Sequence, residues 1–72
     1  MVKAVILVKS PKKLIAARLR KIKSINESFP VSGQFDAVVL IDVGNLPEIK
    51  NITTEIQTIS GVESTETMIE DQ

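Results

Sequence analysis

The side chains that most often carry acid–base, nucleophilic or metal chemistry are missing from this sequence. It holds no His, Cys, Tyr or Trp. Histidine-based proton transfer and the usual zinc sites are therefore excluded. So are disulfides, thiolate metal sites and redox motifs. Serine, threonine, lysine and the carboxylates remain. No two carboxylates stand at a helical or strand spacing that suits an acid–base pair, and Glu63, Glu66 and Glu70 read as a solvated strand edge. No glycine-rich loop is present to cradle a phosphate. The residues point away from an enzyme, and no metal or cofactor is expected.

The basic residues are unevenly placed. Eight of nine lie within residues 1–23 (Lys3, Lys9, Lys12, Lys13, Arg18, Arg20, Lys21 and Lys23), whereas all nine acids follow residue 26. One reading is a nucleic-acid footprint, which would bind with a steep salt dependence. The favoured reading is the solvated outer face of a helix. A third is contact with acidic surfaces of neighbouring copies. RNA recognition on a sheet stacks bases on aromatic side chains. Only Phe29 and Phe35 are available, and neither falls in the two long apolar runs.

With 72 residues the chain makes at most one domain, read as residues 1–72. A domain this short buries only ~60% of its unfolded surface, so its own core is marginal. Small chains add disulfides, a metal or a partner. Here a partner chain is the remaining device. No stretch approaches the ~20 apolar residues of a membrane span. The run Val2 to Val8 leads into Ser-Pro and lysines with no small-residue cleavage site, so it does not read as a signal peptide. The chain is read as cytoplasmic, with no membrane partner.

The elements that must position any site follow from periodicity. Val2 to Val8 is an apolar, β-branched strand, Lys3 aside. Ser10 offers an N-cap and Pro11 suits the first helical position. Leu14, Ile15, Leu19 and Ile22 then share one helical face, predicting a helix that ends near Lys23. Ile25 to Val31 reads as a weak strand. Pro30 cannot donate to a ladder and places that strand at a sheet edge. Ser32-Gly33-Gln34 reads as a hairpin turn. Ala37 to Ile41, extended by Val43, is another strand. Asn45 and Glu48 have capping-box spacing, with Asn at the cap. Ile49, Ile52, Ile56 and Ile59 form the apolar stripe of a second helix, closed by Ser60-Gly61. Val62 to Ile69 makes the last strand.

The order is βαββαβ, and the two halves echo each other. Pro11 to Ile22 and Pro47 to Ile59 differ by one residue in length. This is the ferredoxin-like, α+β arrangement. It implies a four-stranded antiparallel sheet with two helices on one face. Right-handed crossovers put the first and third strands in the centre. Two helices leave the other sheet face bare, and a bare face should be polar at every second position. Ala4-Val5-Ile6-Leu7-Val8 and Ala37-Val38-Val39-Leu40-Ile41 are instead apolar on both parities. Two copies packed sheet against sheet, as a dimeric α/β-sandwich, would bury that face. Each extra buried aliphatic side chain is worth ~1.5–3 kcal/mol.

Two segments carry a resemblance. Val31-Ser32-Gly33-Gln34-Phe35-Asp36 and Gly61-Val62-Glu63-Ser64-Thr65-Glu66-Thr67 resemble the RAM (regulation of amino acid metabolism) domain, the ligand-sensing half of Lrp/AsnC regulators. That family shows a Thr/Ser-Gly-x-Tyr/Phe-Asp turn before the third strand and a Gly-Val-x-x-Thr-x-Thr pattern entering the fourth. The Asn45-Leu46 helix entry is similar too, and the likeness spans residues 2 to 70. It implies a homodimer joined by its sheet faces, assembled further into tetramers to octamers. It also implies a small effector, commonly an amino acid, bound between dimers. The matching ligand-binding positions are Ser32, Gly33, Gln34, Phe35, Asp36, Thr65 and Thr67. Glycine lets backbone amides approach a ligand closely, and turn amides hold a carboxylate. Asp36 suits an ammonium group, and threonine hydroxyls serve either end. The structural reading of the same residues is a hairpin glycine, a turn aspartate and ordinary strand threonines.

The sequence departs from such regulators in one respect: its first strand begins at the initiating methionine, with no helix-turn-helix ahead of it. It therefore reads as a stand-alone RAM domain without direct sequence-specific DNA binding. The expected function is an oligomeric amino-acid sensor that modulates transcription or amino-acid metabolism, with full-length Lrp/AsnC regulators as candidate partners. The alternatives are a purely structural assembly domain and a small dimeric α+β-barrel enzyme, which should enclose a polar cavity within one chain.

Overall fold

The computed structural model describes residues 1–12 and 14–71. The elements run β1 (Val2–Lys9), α1 (Ile15–Leu19), β2 (Glu27–Pro30), β3 (Ala37–Val43), α2 (Leu46–Gln57) and β4 (Ser64–Ile69). The sheet is antiparallel in the order β2-β3-β1-β4. The two long apolar runs are its central strands. Pro30 sits on an outer strand opposite Ala37, where its missing N–H leaves no gap in an interior ladder.

Alternation on the central strands sorts side chains to two faces. Ala4, Ile6 and Val8 of β1, and Ala37, Val39, Ile41 and Val43 of β3, are buried on the helix side. They pack with Ile15, Ala16 and Leu19 of α1 and with Ile49, Ile52 and Ile56 of α2. Helix α1 lies over β2 and β3, and α2 lies over β1, β3 and β4. On the opposite face the cross-strand pairs Val5–Leu40 and Leu7–Val38 are half-buried, and among the described residues no helix covers them. Phe29 and Met68 flank them on the outer strands, 37% and 50% exposed. The sheet thus carries one apolar face under helices and a second face, apolar at its centre and edged by Lys3, Glu27, Asp42 and Glu66, with no helix over it among the described residues.

Helix α2 follows its sequence pattern. Asn45 Oδ1 accepts from the Glu48 amide at 3.1 Å, and Glu48 Oε2 accepts from the Gly44 amide at 3.1 Å. The return bond reaches one residue beyond the cap, a variant of the expected box. The helix ends at Gln57, short of the expected Ile59, whose amide reaches back only three residues to Ile56 O, and Gly61 takes a left-handed φ of 98° in the turn that follows.

Helix α1 is much shorter than the span expected over residues 11–23, and Ser10 is not its cap. Leu14 stands at the N-cap with φ 64°, and among the described residues of that span only Ile15–Leu19 are α-helical. Local hydrogen bonds explain the difference. Ser10 Oγ accepts from the Lys12 amide at 3.2 Å, which closes a small turn instead of starting a helix. Ser10 N is committed elsewhere, to the Asp36 carboxylate. Beyond Arg20 the amides of Lys21, Ile22 and Ile25 reach carbonyls three residues back, so the chain continues as turns into β2. The part of the expected helix that falls on Lys13 lies outside the described residues. The first two residues of the expected last strand, Val62 and Glu63, also precede β4, although Glu63 N still donates to Lys9 O at 2.8 Å.

Candidate functional site

The turn between β2 and β3 sits at one end of the sheet, beside the exit of β1. Val31 N donates to Asp36 O at 3.0 Å and closes the turn. Asp36 N donates to Val8 O at 2.9 Å, and Asp36 Oδ2 accepts from Ser10 N at 2.7 Å. Asp36 therefore pins the end of β1 to the start of β3. Lys9 Nζ reaches Gln34 O at 3.3 Å. Ser32, Gly33 and Gln34 are exposed, whereas Phe35 and Asp36 are half-buried. Gly33 has φ 128°, and a Cβ there would meet nothing within 4 Å. Its backbone conformation, not crowding, calls for glycine. The tip of the turn thus presents open backbone to solvent.

Thr65 and Thr67 are not part of this turn within one chain. They lie on β4, on the helix side of the sheet. Gln57 Nε2 donates to Thr65 Oγ1 at 3.0 Å, and Thr67 Oγ1 stands 3.5 Å from Thr53 Oγ1. Strand β1 separates β4 from β3. Two strand spacings put the groups roughly 10 Å apart at the backbone. The seven sequence-derived positions thus fall into two groups at the same end of the sheet: Ser32, Gly33, Gln34, Phe35 and Asp36, and the threonine pair.

A concavity that the sequence reading missed adjoins the first group. It measures about 410 Å³ and runs between α1 and the hairpin end, with Pro11, Leu14, Ala17, Arg20, Pro30 and Asp36 in its walls. Arg20 Nε donates to Ser28 O at 2.7 Å, which ties α1 to the outer strand. Leu14 stands 79% exposed at the rim. The only sequence signal for this groove was the basic character of the first helix, read there as a solvated face.

A second concavity, about 560 Å³, lies at the other end of the uncovered sheet face, over Val5, Leu40 and Met68, with Lys3, Asn26 and Asp42 around it. Asp42 Oδ1 is buried there without a hydrogen-bond partner among the described residues. Lys3 is its direct cross-strand neighbour. Among the described residues no three His, Cys, Asp or Glu side chains cluster as metal ligands, and no helix is long and apolar enough to cross a membrane.

Comparison with known proteins puts this geometry in context. Residues 3–70 match the family profile of the Lrp/AsnC ligand binding domain. No curated protein matches the sequence. Among solved structures, TTHA0845 from Thermus thermophilus superposes with a TM-score of 0.90 at 24% identity, over 100% of this chain and 95% of its own. The hypothetical protein PHS023 from Pyrococcus horikoshii gives 0.85 at 25% identity, over 100% and 92%. A feast or famine regulatory protein from M. tuberculosis, complexed with L-methionine, gives 0.82 at 20% identity, over 97% of this chain but 50% of its own.

Proposed function

The chain belongs to the family of Lrp/AsnC ligand-binding domains, and from that premise we propose that it is an oligomeric amino-acid-sensing module. The observation that carries the reading is the family match across residues 3–70, a span that includes the open turn at residues 32–36. A solved neighbour holding L-methionine makes amino acids the first effectors to test. In this reading the turn amides take a carboxylate and the Asp36 side chain an ammonium. Thr65 and Thr67 contribute through contacts between copies, since one chain keeps them apart from the turn.

The working unit is a homodimer joined through the uncovered face of Val5, Leu7, Val38 and Leu40. Further assembly of dimers, to tetramers or octamers, would bring turn and threonine groups of different chains together. In this reading the chain acts on transcription or amino-acid metabolism by mixed assembly with full-length Lrp/AsnC regulators. Co-purification from cells tests this: recovery of such a regulator supports it, and its consistent absence opposes it.

A thermal-shift series against the twenty amino acids tests sensing. At least one should raise the melting temperature, and Asp36→Ala should abolish that rise. The competing reading is a structural assembly domain without a ligand. It draws on two observations: the Asp36 carboxylate already accepts from Ser10 N, and Thr65 already accepts from Gln57. No shift with any amino acid would favour it.

A further inference from the structure

From the groove between α1 and the hairpin end we infer that this chain has a carboxylate-binding subsite, with Arg20 as the anchor. The inference rests on the sensing reading and deepens it. It puts the Arg20 side chain in place of the turn amides as the group that takes the effector's acid, keeps Asp36 for the ammonium, and says where the effector's body lies.

Arg20 is exposed, yet its guanidinium is not free to wander. Nε is held on Ser28 O at 2.7 Å, and the two terminal nitrogens make no hydrogen bond among the described residues. An arginine tethered at Nε presents its remaining donors as a fixed planar fork, the geometry that suits a carboxylate. Lys12 also lines the groove, but its stem is packed on Gly61, where a Cβ would come within 2.7 Å of Lys12 Cγ and Cδ. Arg20 is therefore the better-positioned cation.

The rest of the groove narrows the ligand class. Pro11, Ala17 and Pro30 give it small apolar walls. Asp36 contributes the opposite charge, with Oδ2 engaged by Ser10 N and Oδ1 without a partner among the described residues. A dianion such as phosphate would be repelled by that carboxylate. A zwitterion is matched by it: acid group on Arg20, ammonium toward Asp36, aliphatic body against the prolines and Ala17. The volume of about 410 Å³ falls within the range of small-molecule sites.

The test uses the intact protein and calorimetric titration of the twenty amino acids, the same set as α-carboxamides, and inorganic phosphate. The free acids that bind should do so at least about tenfold more tightly than their carboxamides, as expected when a charge-assisted bond is lost. Arg20→Gln should lose a similar factor, Arg20→Lys should recover only part of it, and Arg18→Gln, outside the groove, should change nothing. Because Arg20 also ties α1 to β2, a second variant guards against misfolding. Ala17→Glu places a carboxylate three residues before Arg20 at an exposed helical position, where it competes for the fork; it too should weaken binding. Equal affinity for acid and carboxamide, or unchanged affinity in both folded variants, overturns the subsite while leaving sensing intact. Preference for phosphate overturns the zwitterion assignment. Absence of binding by every amino acid overturns the subsite and the sensing reading together.

Discussion

Leu7→Lys is the perturbation that bears hardest on the uncovered sheet face. Leu7 lies on β1, directly opposite Val38 on one side and Glu66 on the other. In a monomer the new ammonium faces the Glu66 carboxylate, a cross-strand pair worth ~0.2–1 kcal/mol, so the fold tolerates it. In a sheet-to-sheet dimer the same group sits near the centre of the contact. In the proposed dimer each copy would bring Val5, Leu7, Phe29, Val38, Leu40 and Met68 to the contact, all partly exposed in the single chain. Covering the open half of such a side chain is worth ~1 kcal/mol, or roughly 12 kcal/mol gross for two copies. Association costs about 4–15 kcal/mol in lost freedom, and at the lower end about 8 kcal/mol remains, a dissociation constant near micromolar. The substitution removes ~2 kcal/mol of apolar burial from the pair. It also desolvates two ammonium groups at several kcal/mol each. A total loss above ~5 kcal/mol is more than a thousandfold in the dissociation constant. Sedimentation equilibrium at micromolar concentration should show wild-type dimers or larger, and monomeric Leu7→Lys with an unchanged circular dichroism spectrum. Leu46→Lys, at an exposed position on α2, should leave assembly unchanged. A wild-type monomer, or a Leu7→Lys dimer of wild-type affinity, would rule out assembly through this sheet face.

Other substitutions read out separate parts of the fold. Ile56→Ala empties a fully buried position under α2 and should cost ~2–5 kcal/mol in urea unfolding, enough to unfold much of so small a domain. Asn45→Ala removes the cap of α2 and should cost ~1 kcal/mol, a fall of about 4–8 °C in melting temperature. Gly61→Ala meets both a left-handed backbone and the stem of Lys12. It should destabilise the protein by more than ~1 kcal/mol, and adding Lys12→Ala should restore the part due to crowding but not the part due to backbone strain.

Period-two and helical patterns made most of the architecture legible. The central strands were readable because their apolar runs are long and bounded by Ser-Pro, Gly and Asn signals. Helix α2 was readable because Asn45, Pro47 and the isoleucines at 49, 52 and 56 agree, while Ile59 falls in the turn beyond its end. The first helix was overread because Ser10-Pro11 is a good helix start in isolation. Asp36, 26 residues away, takes the Ser10 amide and holds that segment in a turn. Such a bond leaves no trace in local periodicity. The candidate site divides the same way. The turn was visible through Gly33 and its neighbours. The groove beside it was not, because Arg20 reaches it only through the packing of α1 on β2, and Ser28, the residue it grips, has no distinctive pattern.

Calorimetric titration of the twenty amino acids into the assembled wild-type protein tests the sensing claim most directly. A sensor should show saturable binding of at least one amino acid, lost on Asp36→Ala while the variant remains folded. No binding heat from any of them at millimolar concentration, with the protein folded and oligomeric, would contradict it.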